Sequence, residues 1–311
     1  IGKMTLPELQ KRGYPEDMVI GTLSGSGTLG LLIPPSIIMI VYGVAADVSI
    51  AQLFIAGVLP GILLAGLFSG YIIYWSLRHP DQIPPRDAPM SFMQKLEASS
   101  SLIPVVLLIA AVLGSIYTGF ATATEAAAVG VVGSLVLSTL QGSMSWAVFK
   151  DALMGATRLY CMIALILAGA AFLTLSMGYI GLPRHLAEWI GSLGLSPFAL
   201  IMALMVFFII LGCFLDGISM VVLTMGVLMP TVQKAGIDPI WFGIFIVFVV
   251  EMAQITPPVG FNLFVLQGMT GKQLPYIARV SMPMFLLMVG AVMLIYFVPG
   301  IVTWLPTQMK L

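Results

Sequence analysis

Apolar residues run along this chain in long unbroken blocks rather than in the alternating faces of a soluble fold. Residues 51–75, 159–178 and 280–298 contain no Asp, Glu, Lys or Arg. A helix that crosses a bilayer needs about 20 predominantly apolar residues at about 1.5 Å rise each. The pattern predicts spans over 51–76, 101–118, 126–140, 159–178 and 280–298. Two further spans, 18–44 and 240–267, are interrupted by glycine and paired prolines. Residues 197–231 predict a re-entrant hairpin, with a break at Gly212–Ser219 and a second limb too short to cross. Between the spans lie a polar arm at 77–100, read as an amphipathic surface segment, and a short amphipathic stretch around Arg184 and Glu188. The fold class expected is an all-α membrane protein.

The punctuation repeats. At a spacing of 223 residues Pro7 meets Pro230, Lys11 meets Lys234 and Gly13 meets Gly236. Pro34-Pro35 likewise meets Pro257-Pro258, and Pro60 meets Pro283. Proline and glycine fix backbone geometry, so their coincidence predicts two copies of one unit. Residues 1–76 then end a first copy, 77–100 connect, and 101–311 form a second. The second copy has apolar segments, 101–223, with no counterpart before residue 1. The expectation is a chain that lacks the N-terminal part of its first repeat.

Counting crossings places ten basic residues on one side: Lys3, Lys11, Arg12, Arg78, Arg86, Lys95, Lys150, Arg158, Lys272 and Arg279. The other holds Arg184, Lys234 and Lys310. The richer side is the cytoplasmic one by the positive-inside rule, which puts the C-terminus outside it. The two copies then face opposite ways, and inverted repeats with broken helices point to a secondary transporter whose site lies near the bilayer midplane.

Composition sharpens this picture. Of the 311 residues 59% are hydrophobic and 8% charged, too few charges to cover a soluble surface. Net charge is zero and no basic run suits nucleic acid. Cys161 and Cys213 fall in different apolar segments and read as core side chains. His79 and His185 lie in polar connections. No nucleophile–base pair or metal cluster lies within the spans, which argues against a membrane enzyme.

Candidate chemistry gathers at the breaks. Proline has no N–H, so Pro34 and Pro35 leave the carbonyls of Gly30 and Leu31 without helical partners. Pro257 and Pro258 do the same for Ala253 and Gln254, beside the Thr256 hydroxyl. Such oxygens are hard ligands suited to Na⁺, although a kink satisfied by neighbouring hydroxyls is the simpler reading of one break alone. Ser24, Gly25, Ser26 and Gly27 precede the first break and are expected to line the site. Asp216 is either a cation ligand or the cap of the hairpin's second limb, next to Gly217 and Ser219. Glu251 either pairs with a site hydroxyl or carries a proton. Glu125 follows Thr122 and Thr124 and reads as a first-turn helix acid.

Several stretches together resemble a known family: Leu6-Pro-Glu-Leu-Gln-Lys-Arg-Gly-Tyr14, Gly27-Thr-Leu-Gly-Leu-Leu-Ile-Pro-Pro-Ser36, Gly119-Phe-Ala-Thr-Ala-Thr-Glu-Ala-Ala-Ala128, Asp216-Gly-Ile-Ser219, and Glu251-Met-Ala-Gln-Ile-Thr-Pro-Pro-Val-Gly-Phe-Asn-Leu-Phe264. They resemble the large membrane subunit of tripartite ATP-independent periplasmic (TRAP) transporters, of the dicarboxylate and sialic acid type. Ala123 and Gly226 depart from it, standing where the family commonly has proline. The resemblance implies an elevator-type carrier of the bacterial inner membrane, with two re-entrant hairpins, that couples Na⁺ entry to import of an organic acid. It implies two partners, a small four-helix membrane subunit and a periplasmic substrate-binding protein. Carried over by position, the Na⁺ ligands are Gly30 and Ile33 from the first break and Gly212, Asp216, Ala253 and Thr256 from the second copy. Gln254 and Glu251 join Gly217 and Ser219 as site-lining residues. An ion-exchange permease of related fold, needing no binding protein, is the other transport reading.

Overall fold

The computed structural model describes residues 2–85, 91–99, 102–257 and 260–308. Arg86, Pro258 and Lys310, used above, lie outside them. Among the described residues the regular structure is helical throughout. The chain forms two compact units, residues 1–84 with 167–307, and residues 85–166 with 308–311.

The larger unit opens with α1 (Gly2–Lys11) and α2 (Glu16–Leu32), which ends at the first proline pair. α3 (Ile37–Ala46) resumes at an angle of 45°, capped by Ser36, whose hydroxyl accepts from the Met39 N–H. The Pro34–Pro35 bond is cis. α4 (Ile50–Arg78) follows as one apolar helix, with Ser49 as its cap.

The smaller unit contains α5 (Phe92–Ala98), α6 (Ile103–Tyr117) and α7 (Ala123–Leu140). Small residues bring α6 and α7 together, since a Cβ on Gly133 would stand 2.3 Å from Leu108 Cδ1. Thr122 caps α7: its hydroxyl accepts from the Glu125 N–H at 3.3 Å, while the Glu125 carboxylate accepts from the Thr122 N–H at 2.8 Å. This capping box gives Glu125 the helix-end role expected of it.

α8 (Trp146–Ile180) starts in the smaller unit and finishes in the larger one. Its 35 residues run well beyond the 159–178 expected, to about 52 Å at 1.5 Å per residue. The amphipathic stretch is α9 (Leu182–Ser192), which carries an Arg184–Glu188 pair at 2.9 Å. The arginine, one turn away, holds the Glu188 carboxyl below its ordinary range.

α10 (Pro197–Gly212) and α11 (Gly217–Lys234) form the hairpin. The second limb differs from expectation. It has 18 residues and is long and apolar enough to cross a membrane, so length does not make it re-entrant. The sequence reading ended it at residue 231, but α11 continues to Lys234. α12 (Pro239–Gln254), a break at Ile255–Gly260, and α13 (Phe261–Thr270) form the second interrupted helix. α14 (Leu274–Phe297) and an unanticipated α15 (Gly300–Thr307) close the chain.

Element bounds repeat at the spacing of the prolines. α2, α3 and α4 begin at 16, 37 and 50, and α12, α13 and α14 begin at 239, 261 and 274. Gly13 and Gly236 both take positive φ, 84° and 71°, at the same point in each copy. Packing ignores the copy boundary. α2 lies along α14, α3 along α11, and α12 touches α2, α3 and α4. Apolar helices bury their surface against whichever neighbours are at hand, so elements from both halves mix within the unit.

α12 occupies the centre. From Trp241 to Ala253 every residue is buried, as expected of a helix apolar on all sides. The Tyr42 hydroxyl donates to the Pro239 carbonyl at 2.7 Å, and Trp241 Nε1–H donates to the Ile295 carbonyl at 3.0 Å. Gly243 lets Tyr42 and Leu53 approach: a Cβ there would lie 2.6 Å from Leu53 Cδ2 and from Tyr42 Cε1. Gly226 does the same for Thr174 Oγ1 at 2.2 Å, so the departure from proline accompanies a close helix contact.

Gly243→Val therefore lowers stability by about 1–3 kcal/mol through overpacking. Unfolding in detergent checks this, with Gly290→Val as the comparison, because nothing lies within 4 Å of a Cβ at Gly290.

Candidate functional site

Residues 213–216 turn the hairpin against the second break. A Cβ at Gly212 would stand 2.2 Å from Ala253 Cβ, and one at Gly217 2.5 Å from Val250 Cγ1 and 3.3 Å from Ile38 Cδ1. The Cys213 thiol donates to the Pro257 carbonyl at 3.3 Å. Glycine at both ends of the turn thus permits contact with α12, and Gly217 also with α3.

This contact borders an open cavity of ≈ 350 Å³. Leu31 and Ile38 come to it from the first break, Asp216 and Gly217 from the hairpin, and Ala253 and Gln254 from the second break. Of the site residues read from sequence, Gly212, Asp216, Gly217, Ala253 and Gln254 are brought together here. The wall is mainly apolar, with the carboxylate and the Gln254 amide as its polar side chains.

Asp216 caps α11. Its carboxylate accepts from the Ile218 N–H at 3.0 Å and the Ser219 N–H at 3.2 Å, and the Ser219 hydroxyl donates to its other oxygen. These are the orphan donors of a helix N-terminus. The residue is also exposed and faces the cavity. The cap accounts for its place in an apolar hairpin, and Oδ1, which accepts the Ser219 hydroxyl alone, keeps a lone pair free for a cation.

At the second break the backbone satisfies itself in part. The Thr256 N–H donates to the Ala253 carbonyl at 3.2 Å, so that oxygen is not left bare. The Thr256 hydroxyl donates to the Met252 carbonyl at 2.6 Å. The carbonyls of Gln254 and Thr256 both turn toward Gly260, lying 2.6 and 2.9 Å from where its Cβ would be. A side chain at Gly260 would close the bend.

The first break is more open. The Ile33 N–H reaches back to Leu29 at 2.9 Å, and the prolines offer no donor to the carbonyls of Gly30 and Leu31. Gly30 has nothing within 4 Å of a Cβ position and Ile33 is 44% exposed. The glycine- and serine-rich run before it points several ways. Gly25 abuts Met284, the Ser26 hydroxyl donates to the Leu23 carbonyl, and Gly27 faces the Asn262 amide. Ser24 is buried with its hydroxyl unpaired. The oxygen donors of both breaks, all carbonyl, hydroxyl or carboxylate, suit a hard monovalent cation such as Na⁺.

Sequence reasoning passed over Thr28 and Asn262. Thr28 is wholly buried, and Asn262 Nδ2 is buried without a partner across from Gly27. A polar residue directly after each break was the available signal for Asn262, whereas Thr28 resembles any helical threonine.

A second cavity of ≈ 340 Å³ collects Glu16, Asp17, His79 and Arg279, the last of these one of the ten basic residues counted on the richer side. Lys272 pairs with Glu16 at 2.8 Å, and the Tyr276 hydroxyl donates to Asp17.

Residues 1–301 match the family described as "Tripartite ATP-independent periplasmic transporter, DctM component". The chain is 33% identical over 309 residues to the C4-dicarboxylate TRAP transporter large permease protein DctM of Pseudomonas aeruginosa, covering 98% of this chain and 71% of that protein. It is 32% identical to the ectoine/5-hydroxyectoine TRAP transporter large permease protein UehC of Ruegeria pomeroyi, over 98% of this chain and 71% of that one. With the isethionate TRAP transporter permease protein DctMQ of Oleidesulfovibrio alaskensis it shares 31% identity, over 97% of this chain and 47% of the relative.

Replacing Asp216 separates its cap from its charge. Asp216→Ala destabilises by about 1 kcal/mol, while Asp216→Asn, an equally good cap, stays near the parent. Thermal unfolding of the two variants side by side checks this.

Proposed function

Since the chain belongs to the DctM-component family of tripartite ATP-independent periplasmic transporters, a family of membrane permeases rather than enzymes, we propose that it is the large subunit of a Na⁺-coupled importer of an organic acid. It is a multi-pass membrane protein, and such permeases work with a small membrane subunit and a periplasmic binding protein. In this reading the periplasmic protein delivers the acid to the cavity between the hairpin turn and the two breaks. Na⁺ is held by oxygens drawn from Gly30, Ile33, Gly212, Asp216, Ala253 and Thr256. The two copies face opposite ways, and the unit that holds the cavity moves across the bilayer as an elevator. The membrane is the bacterial inner membrane, with the C-terminus on its periplasmic side.

The observation that carries the reading is the meeting of both proline-interrupted helices with the hairpin at one cavity containing Asp216. Backbone is left unpaired at membrane depth where it lines a cavity or meets an ion. Among acids, a C4-dicarboxylate fits the relative from Pseudomonas aeruginosa by name, and sialic acid stands behind it. The names of other relatives extend to isethionate and ectoine, so the common feature is a small polar solute with an acidic group.

Uptake of labelled succinate and sialic acid into proteoliposomes holding both membrane subunits, with binding protein outside, tests this. An inward Na⁺ gradient is expected to drive accumulation of one of them. Asp216→Asn is expected to lower the uptake at least about tenfold, the equivalent of about 1.4 kcal/mol at one ion contact. Transport that needs neither Na⁺ nor the binding protein would favour the exchange permease instead.

A further inference from the structure

Glu251 lies within the buried run of α12 and none of its surface reaches solvent. Its neighbours Val250, Ala253 and Gln254 face the hairpin cavity, whereas its own carboxyl turns toward Thr28 of α2. Neither carboxylate oxygen receives a hydrogen bond from a protein group. The Thr28 hydroxyl, though adjacent, donates to the Gly25 carbonyl at 2.7 Å, and to serve the carboxylate it would have to abandon that bond. The ion pairs Arg12–Glu8, Arg184–Glu188 and Lys272–Glu16 involve other residues.

One turn before Thr28, on the same face of α2, Ser24 is 1% exposed and its hydroxyl has no partner. The adjacent row of α2 holds that face in place. Gly21 and Gly25 press against α14, where Cβ atoms would meet the Val280 carbonyl at 2.4 Å and Met284 Cγ at 2.8 Å. A bare carboxylate at this depth is among the costliest groups a protein can bury. Beside it stands the Thr28 hydroxyl, and one turn away on the same face of α2 is the unpaired hydroxyl of Ser24.

We propose that Glu251, Ser24 and Thr28 form a binding site for a small monovalent cation between α2 and α12, separate from the hairpin cavity. The carboxylate supplies one negative charge, which one monovalent ion neutralises. The hydroxyls supply hard oxygen ligands without adding charge. The site uses none of the oxygens assigned to the Na⁺ ligands at the breaks, and it stands whether or not that assignment does. It ties α2 of the first copy to α12 of the second, so an ion here fastens the two interrupted helices to each other.

Thermal unfolding of the intact protein in detergent, in NaCl against choline chloride, provides the test. A ligand that binds the folded state alone raises its stability, so Na⁺ is expected to raise the midpoint of the parent. Glu251→Gln, which keeps the shape and removes the charge, is expected to lose about half of that shift or more, while Asp216→Asn keeps the part due to this site. If Glu251→Gln does not fold, the Ser24→Ala/Thr28→Val double variant serves instead, with the same loss expected. A full Na⁺ shift in whichever variant is read overturns the proposal. So does a parent that unfolds in choline at pH 5 as high as in NaCl, because a proton would then be the occupant.

Discussion

A peptide carbonyl or N–H within hydrocarbon needs a partner, and each one left unmet costs several kcal/mol. The helices here meet that demand along their lengths, and the prolines after Leu32 and at Pro257 suspend it. Much of the architecture consists of answers to that suspension. Ser36 restarts α3, the Thr256 N–H closes on Ala253, and the Cys213 thiol reaches over from the hairpin to the Pro257 carbonyl. Where no answer is available, at the carbonyls of Gly30 and Leu31, the break stays open, and Leu31 lines the cavity.

Glycine makes these answers geometrically possible. The hairpin reaches the second break because Gly212 and Gly217 carry no side chain to hold it off, and Gly260 lets two carbonyls fold inward. A backbone pressed this closely leaves few arrangements of intermediate spacing. Tight packing with few alternatives is the setting in which a bound ion or solute shifts a protein between discrete states.

Acidic residues in the apolar segments divide into those with a helix-end task and those without. Asp216 and Glu125 both cap helices, and their charge lies against N-terminal amides. Glu251 caps nothing and pairs with nothing, in the most deeply buried helix of the chain. That contrast marks Glu251 as the residue whose presence the fold alone does not explain.

Much was legible in the residues themselves. Blocks free of charge gave the helices, because a bilayer core of about 30 Å demands long apolar runs. The proline and glycine spacing of 223 located corresponding elements to within a residue, since those two residue types dictate backbone geometry locally. Other features needed the tertiary structure. Nothing local carries α11 past residue 231, whereas packing along α3 and α9 holds it to Lys234 with Pro230 inside. The existence of α15 was likewise decided by packing, along α4. Which of Ser24, Gly25, Ser26 and Gly27 faces a neighbour, and that Thr28 lies beside Glu251, follows from how α2 is rotated between α12 and α14. Rotation about a helix axis is set by the helices around it, and a segment apolar on every side carries no periodic signal of its own to reveal it.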